Sequence, residues 1–278
     1  MPKKRKSKFW KNIWKAISAI FNLIYLVIVF VIVKIPYYIG LGILKLFKFS
    51  KVKTKEAGIE KKRTSMKAKY YGFEIVEKEK GDLTRWENNL KNKSKIGIIL
   101  GARGSGKSAF GIKMLENVYA KTQRRCYAIG FKREEMPLFV DVVEKIDEIQ
   151  NDAFVLIDEG GILFSSRRAM TNANKMLSDL ILISRHKNLT ILFISQNSSN
   201  LDVNIIRQAD FLVLKPSSLL QKDFERKIVK DLYEKIRDKF ESYKEKAGIT
   251  YLYSDDFSGF IVNKLPSFWS DRISKSFR

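Results

Sequence analysis

Cysteine and histidine are nearly absent from the 278 residues, each occurring once, as Cys126 and His186. A single cysteine excludes a disulfide scaffold. One of each also excludes a Cys/His zinc site built within one chain. Nothing in this usage fits an oxidising compartment, so a reducing cytosol is expected around the bulk of the chain. No internal repeat or low-complexity tract occurs beyond the basic ends. Disorder over most of the length is excluded too, because 45% of the residues are hydrophobic and 30% charged. That is enough to bury a core and keep its surface soluble. The length leaves room for one domain of ordinary size plus an appendage.

Acidic residues are scarce where basic ones crowd. Residues 1–69 hold eighteen Lys/Arg and two acids, Glu56 and Glu60, a net of +16 out of +23 for the chain. Residues 70–278 hold 35 basic and 28 acidic residues, a net of only +7, so the global charge does not by itself establish nucleic-acid binding. The N-terminal excess has another explanation. After a basic start, residues 1–15, come eighteen residues without a charge, Ala16 to Val33. As a helix this run spans ~27 Å, close to the ~30 Å of a hydrocarbon core. Apolar character resumes after Lys34 and continues to Leu44. Trp10, Trp14, Tyr37 and Tyr38 sit at the ends, where amphipathic rings favour the headgroup layer. No small-x-small cleavage site follows, which separates the run from a secretory signal peptide.

Residues 16–44 are therefore expected to form a transmembrane helix or, bent at Lys34-Ile35-Pro36, a re-entrant hairpin. Both flanks are basic, so the positive-inside rule does not choose between them. Residues 45–69 read as a basic juxtamembrane linker held near anionic lipid. Residues 70–278 are expected to form the cytoplasmic domain.

That domain carries a phosphate-binding signature. A β-rich run, Ile96 to Leu100, leads into Gly101-Ala102-Arg103-Gly104-Ser105-Gly106-Lys107-Ser108, followed by helical periodicity from Ala109 to Ala120. The pattern and its strand–loop–helix context are those of a P-loop. Its glycines let backbone N–H groups turn inward around phosphate oxygens, and the helix N-terminus adds its positive dipole end. Lys107 supplies a point charge to the β/γ-phosphates of ATP, and the Ser108 hydroxyl can ligate Mg²⁺. A second metal carboxylate is expected at the end of another buried strand, and Ala153 to Asp158, followed by Glu159, provides it. Asp158 would hold Mg²⁺ through water, whereas Glu159 is suited to polarising the attacking water. Thr190 to Ser195 is a further β-rich run, expected between the P-loop and metal strands, with Gln196 at its tip to sense the γ-phosphate. Arg185, in the Arg185-His186 pair before it, is a candidate to reach a phosphate in its own subunit or a neighbour's. Arg167, Arg168 and Arg207 are further candidates.

The combination GARGSGKS, FVLIDEGG, SRHKNLTILFISQ and DVNIIR resembles the FtsK/HerA superfamily, and within it the zonula occludens toxin-like assembly ATPases of filamentous phages. The likeness covers roughly residues 94–215. It implies a P-loop three-layer α/β sandwich and a ring of identical subunits, such as a hexamer. It also implies a membrane-associated motor acting on viral or mobile-element DNA, or on coat and assembly proteins. Phage members typically place their membrane helix after the ATPase domain; here the apolar run comes first.

Other segments carry weaker expectations. Tyr70 to Glu77 reads as a strand, joined to the core by a polar stretch, Lys78 to Ser94. Arg125 to Ile129 and Phe211 to Leu214 read as core strands. Leu219 to Lys246 reads as a helix with an apolar stripe through Phe224, Ile228, Leu232, Ile236 and Phe240. Thr250 to Arg278 reads as an aromatic tail packing down on the domain. Three functions stay open: an ATPase driving DNA movement or virion extrusion, a nucleotide-gated membrane scaffold, and an ATPase moving protein.

Overall fold

The computed structural model describes residues 65–159, 169–218 and 224–270, with 57–60, 63, 273 and scattered positions between 14 and 45. It divides into two units, Met1–Ile59 and Glu60–Arg278. In the first, the described positions between 14 and 45 are helical and include a π-helical turn, Phe30–Lys34. Their large apolar side chains, such as Phe21, Leu23 and Leu26, are exposed. About half of the expected membrane segment, 14 of residues 16–44, lies outside the described residues. No described helix is long and apolar enough to cross a membrane.

The second unit is built on one nine-stranded sheet. In chain order the strands are β1 (Glu74–Gly81), β2 (Lys95–Leu100), β3 (Arg125–Ile129), β4 (Val140–Val142), β5 (Ala153–Asp158), β6 (Thr190–Ile194), β7 (Phe211–Leu214), β8 (Thr250–Ser254) and β9 (Phe257–Val262). Their spatial order is β1-β9-β8-β7-β2-β6-β5-β3-β4. From β7 to β4 every pairing is parallel; β8, β9 and β1 add an antiparallel extension on β7. β6 lies between β2 and β5, as expected, with Ile98 opposite Phe193 and Asp158 opposite Ile194.

Central strands buried on both faces need apolar residues at every position, and β5 and β6 are buried throughout. Alternate residues supply two cores. On one face, Phe154, Leu156, Leu192 and Ile194 meet α1 (Leu83–Asn92) and α2 (Lys107–Thr122). On the other, Val155, Ile157, Ile191 and Phe193 meet α3 (Ala169–Ser184), the short α4 (Val203–Arg207) and α5 (Lys227–Ser242). This is the expected three-layer sandwich.

Three local expectations are corrected. The stretch Lys78 to Ser94 contains α1, capped by the Asp82 side chain accepting from the Thr84 N–H, and only Leu83, Trp86 and Leu90 supply its apolar face. The first strand is Glu74–Gly81 rather than Tyr70 to Glu77. The buried face of α5 is Val229, Tyr233 and Ile236, while Phe224 and Ile228 are exposed. The tail packs down on the domain as expected, with Tyr251, Phe257 and Phe260 fully buried, and within it β8 and β9 form a hairpin across Asp255 and Asp256.

The compact unit also begins before residue 70. Arg63 is buried, its Nε donating to Met136 O at 2.8 Å. The following chain is fastened to the outer side of α2. Glu116 Oε1 accepts from the Lys69 N–H at 3.0 Å, and Asn117 exchanges two hydrogen bonds with the Tyr71 backbone. Glu116 is itself fully buried against Lys113 at 2.8 Å. It also accepts from the Ser267 backbone and hydroxyl.

Candidate active site

The site is assembled where β2, β5 and β6 end. β2 delivers the chain into a loop whose glycines have specific tasks. At Gly101 (φ 149°) a Cβ would lie 2.6 Å from the Cβ of Lys215, so no side chain fits. Gly106 (φ 88°) caps α2 in a left-handed conformation, and nothing lies within 4 Å of where its Cβ would be. The cap makes no side-chain hydrogen bond to α2, leaving the helix's first N–H groups available to an anion.

Three side chains suit phosphate. Ser105 Oγ is buried and has no partner among the described residues, an orphaned donor that a phosphate oxygen would satisfy. Lys107 is buried, its Nζ donating to Gly101 O at 2.7 Å and Ala102 O at 2.9 Å. Burial pushes its pKa down, and Asp158 and Glu159 oppose that shift. Arg103 stands exposed on the loop.

The structure brings Ser108 and Asp158 together. Ser108 Oγ donates to Asp158 Oδ2 at 2.9 Å. Among the described residues no group of three or more His, Cys, Asp or Glu could hold a metal. One hydroxyl and one carboxylate instead suit a Mg²⁺ that takes its other ligands from phosphate and water.

Glu159 follows directly and is 4% exposed. Burial raises its pKa. Hydrogen bonds from the Ser195 hydroxyl, the Asn200 side chain and the Gln196 backbone, with the charge of Lys107, pull the other way. Ser195 and Asn200 were not singled out from the sequence; the short polar residue ending the buried β6 run was the available signal. The Gln196 side chain is exposed, and its backbone is the part that meets Glu159.

Arg185 lies elsewhere. It follows the end of α3 and precedes β6, beside Lys187, whose carbonyl accepts from the Asp152 N–H just before β5. β6 then runs five residues, roughly 17 Å, to the site. Arg185 is exposed at the opposite end of the sheet from Lys107. Its expected reach to a phosphate of its own subunit is corrected by that separation. Arg207, also exposed, ends α4 ahead of the N-terminal end of β7. Arg167 and Arg168 lie outside the described residues.

Lys215 was missed altogether. Its backbone N–H donates to Leu100 O at 2.8 Å, and the next residue, Pro216, accepts from the Ala102 N–H at 3.0 Å, so this segment walls the P-loop. The side chain is 1% exposed, its Nζ set among Gly248 O, Ile249 O and Asn263 Oδ1 at 3.0–3.4 Å. Burial lowers its pKa to about 7. An unfolded lysine keeps its proton to about 10.4, so above about pH 7 the unfolded state binds more protons and stability rises with pH. Thermal unfolding followed between pH 7 and 10 is expected to show this gain in the wild type and to lack it in Lys215→Met. An equal gain in the variant would remove Lys215 as its source.

Residues 129–215 match the family model described as Zonular occludens toxin (Zot). The matched stretch contains Asp158, Glu159, Arg185 and Gln196 and starts after the P-loop. No curated protein sequence matches the chain. Among solved structures, the chain is similar to the DNA-packaging ATPase B204 of Sulfolobus turreted icosahedral virus, at 14% identity over 63% of this chain and 99% of that one, TM-score 0.41. It is similar to the genome-packaging NTPase B204 of Sulfolobus turreted icosahedral virus 2 in complex with ATP-gammaS, at 16% identity over 62% and 98%, TM-score 0.38. A third is the conjugation coupling protein TcpA of pCW3, at 13% identity over 67% and 64%, TM-score 0.44.

Proposed function

We propose, from a Zot-family domain over residues 129–215 joined to a complete P-loop, that this protein is a membrane-anchored ATPase. Its hydrolysis would drive movement of viral or mobile-element DNA, or virion assembly and extrusion. The observation that carries the reading is Glu159: a buried carboxylate directly after Asp158, held by Ser195 and Asn200. A scaffold that only binds nucleotide has no need of it.

The chain's own groups account for the chemistry. Lys107, the Ser105 hydroxyl and the first N–H groups of α2 hold the β/γ-phosphates and offset charge as it develops. Glu159, raised by burial, accepts the proton of the attacking water, while its partners fix which oxygen faces that water. Ser108 and Asp158 are the residues that would hold Mg²⁺, which when bound neutralises phosphate charge. Arg185, exposed and remote from its own P-loop, would complete the site of a neighbouring copy in a ring. The apolar run at 16–44 would anchor the chain in a lipid membrane with residues 60–278 on the cytoplasmic side. DNA is the proposed cargo, and coat or assembly proteins are further partners.

Washed membranes test anchor and activity together. The full chain is expected to stay in the pellet through high salt, since hydrophobic insertion is not screened, and to release phosphate from ATP there. Lys107→Ala should pellet equally and release none. Extraction of the wild type by salt alone would sink the anchor, and phosphate release by the Lys107→Ala pellet would sink the site.

A further inference from the structure

The sheet edge opposite the nucleotide site carries a charge arrangement that the ATPase reading does not use. Five connections enter the parallel strands β2, β3, β5, β6 and β7 there: residues 91–95, 121–125, 149–153, 185–189 and 207–210. They are knitted into one surface. Arg124, buried, donates to Leu90 O, Lys91 O, Thr190 Oγ1 and Asn188 O. Lys187 reaches Ile149 O, and the Thr190 hydroxyl reaches Lys93 O.

Together these segments hold nine Lys/Arg and two acids, where residues 70–278 hold 35 and 28. The remainder of that stretch is then neutral, 26 against 26. Its whole excess of positive charge sits on one edge. Lys95 and Lys91 spend theirs on Asp210 and Glu87, but Lys93, Arg125 and Arg185 have no carboxylate partner among the described residues. In the middle of the edge is an open polar cavity of about 470 Å³, lined among others by Asn92, Gln123, Arg125, Asn151 and Asn188. Among the described residues only Gln123, Asp152 and Asn188 combine a side chain with left-handed φ, and all three line this cavity. Three separate loops thus turn their polar ends toward one space, with the Arg124 guanidinium beneath it.

We propose that this edge is a nucleic-acid backbone site, in which Arg125 and Lys93 take phosphates and the surrounding amides hydrogen-bond phosphate oxygens and sugars. At ~4.8 Å per strand the five strands present a row roughly 19 Å long. That matches a polymer carrying one negative charge per ~1.7 Å of duplex axis better than a single small anion, which would use the cavity alone. Amide and guanidinium donors around a concavity give position without reading bases, as backbone contacts do. The inference rests on the DNA-moving reading above and gives it a surface.

The test uses the nucleotide-free full chain in detergent with a labelled duplex of mixed sequence, titrated at several salt concentrations. Lys93→Glu/Arg125→Glu should bind at least about 10-fold more weakly, with the slope of log K on log salt smaller by about 2, since each lost phosphate contact removes ~0.9. Lys235→Glu/Arg237→Glu makes the same charge change on the exposed side of α5 and should leave both unchanged. An equal loss in that control, or no loss in the first variant, overturns the assignment. So does a first variant that binds duplex normally but loses turnover without DNA, because Lys93 and Arg125 would then join Arg185 in a contact between copies. Lys107→Ala should bind duplex like wild type. Turnover without edge-dependent binding removes the site alone, and edge-dependent binding without turnover removes the ATPase reading alone.

Discussion

Replacing Glu159 with Gln is expected to leave ATP binding intact and to slow turnover by about 10²-fold or more, the range that loss of a general base produces. Binding should persist because Lys107, Ser105 and the start of α2 are untouched. The amide keeps the shape and accepts the Ser195 hydrogen bond but cannot take a proton from water. The pH dependence gives a second readout. Burial raises the Glu159 pKa, so wild-type turnover should rise with pH through a limb above the usual carboxylate range. That limb should be missing from the residual activity of the variant. Turnover near wild type in Glu159→Gln would take the catalytic assignment away, whatever the binding.

Mixing two inactive proteins is expected to restore activity. Arg185→Ala lacks the residue that would enter a neighbour's site, and Lys107→Ala lacks its own phosphate site. In a mixed ring some junctions pair an intact site with an intact arginine. Such a finger contributes ~10³–10⁵ in rate, so even a fraction of restored junctions should stand out against either variant alone. Specific activity of the wild type should also climb with protein concentration. The geometry makes the test sharp, because Arg185 and Lys107 lie at opposite ends of the sheet within one chain. Activity independent of concentration, with no complementation, would exclude a shared site.

The parts of this site written as contiguous spacing were legible in the sequence. The P-loop and the Asp158-Glu159 pair each occupy a few neighbouring residues, and strands buried on both faces leave apolar runs that place them. β6 between β2 and β5 followed from the Glu after the metal Asp. What was not legible comes from strands brought side by side. Lys215 walls the P-loop only because β7 pairs with β2, 115 positions away along the chain at Lys95 and Asp210. Asn200 meets Glu159 because the chain after β6 folds back over the sheet.

Among the helices, α1 was hidden by carrying only three buried apolar residues among charged and amide ones. α5 was recognised but its phase was misjudged. Apolar residues recurring every fourth position precess ~40° per step around a helix of ~3.6 residues per turn, so the stripe winds off the buried face. Val229 and Tyr233 join Ile236 of the expected stripe on that face, with Leu232 and Phe240 packed beside it. The tail's hairpin turns on Asp255-Asp256, which lacks the glycine that usually signals such a turn.

The fastening of the N-terminal lead to α2 makes that helix a push-rod. Tension on the chain ahead of Lys69 meets two holds, Arg63 at Met136 and Val140, and then α2. On α2 it is taken up at Lys113, Glu116 and Asn117, all three of which hydrogen-bond the lead backbone directly. Glu116 stands nine residues along the same helix from Lys107, ~13 Å at ~1.5 Å per residue. A stiff helix passes axial displacement along that length almost undiminished. The lead and the P-loop are thus held by the two ends of one continuous helix.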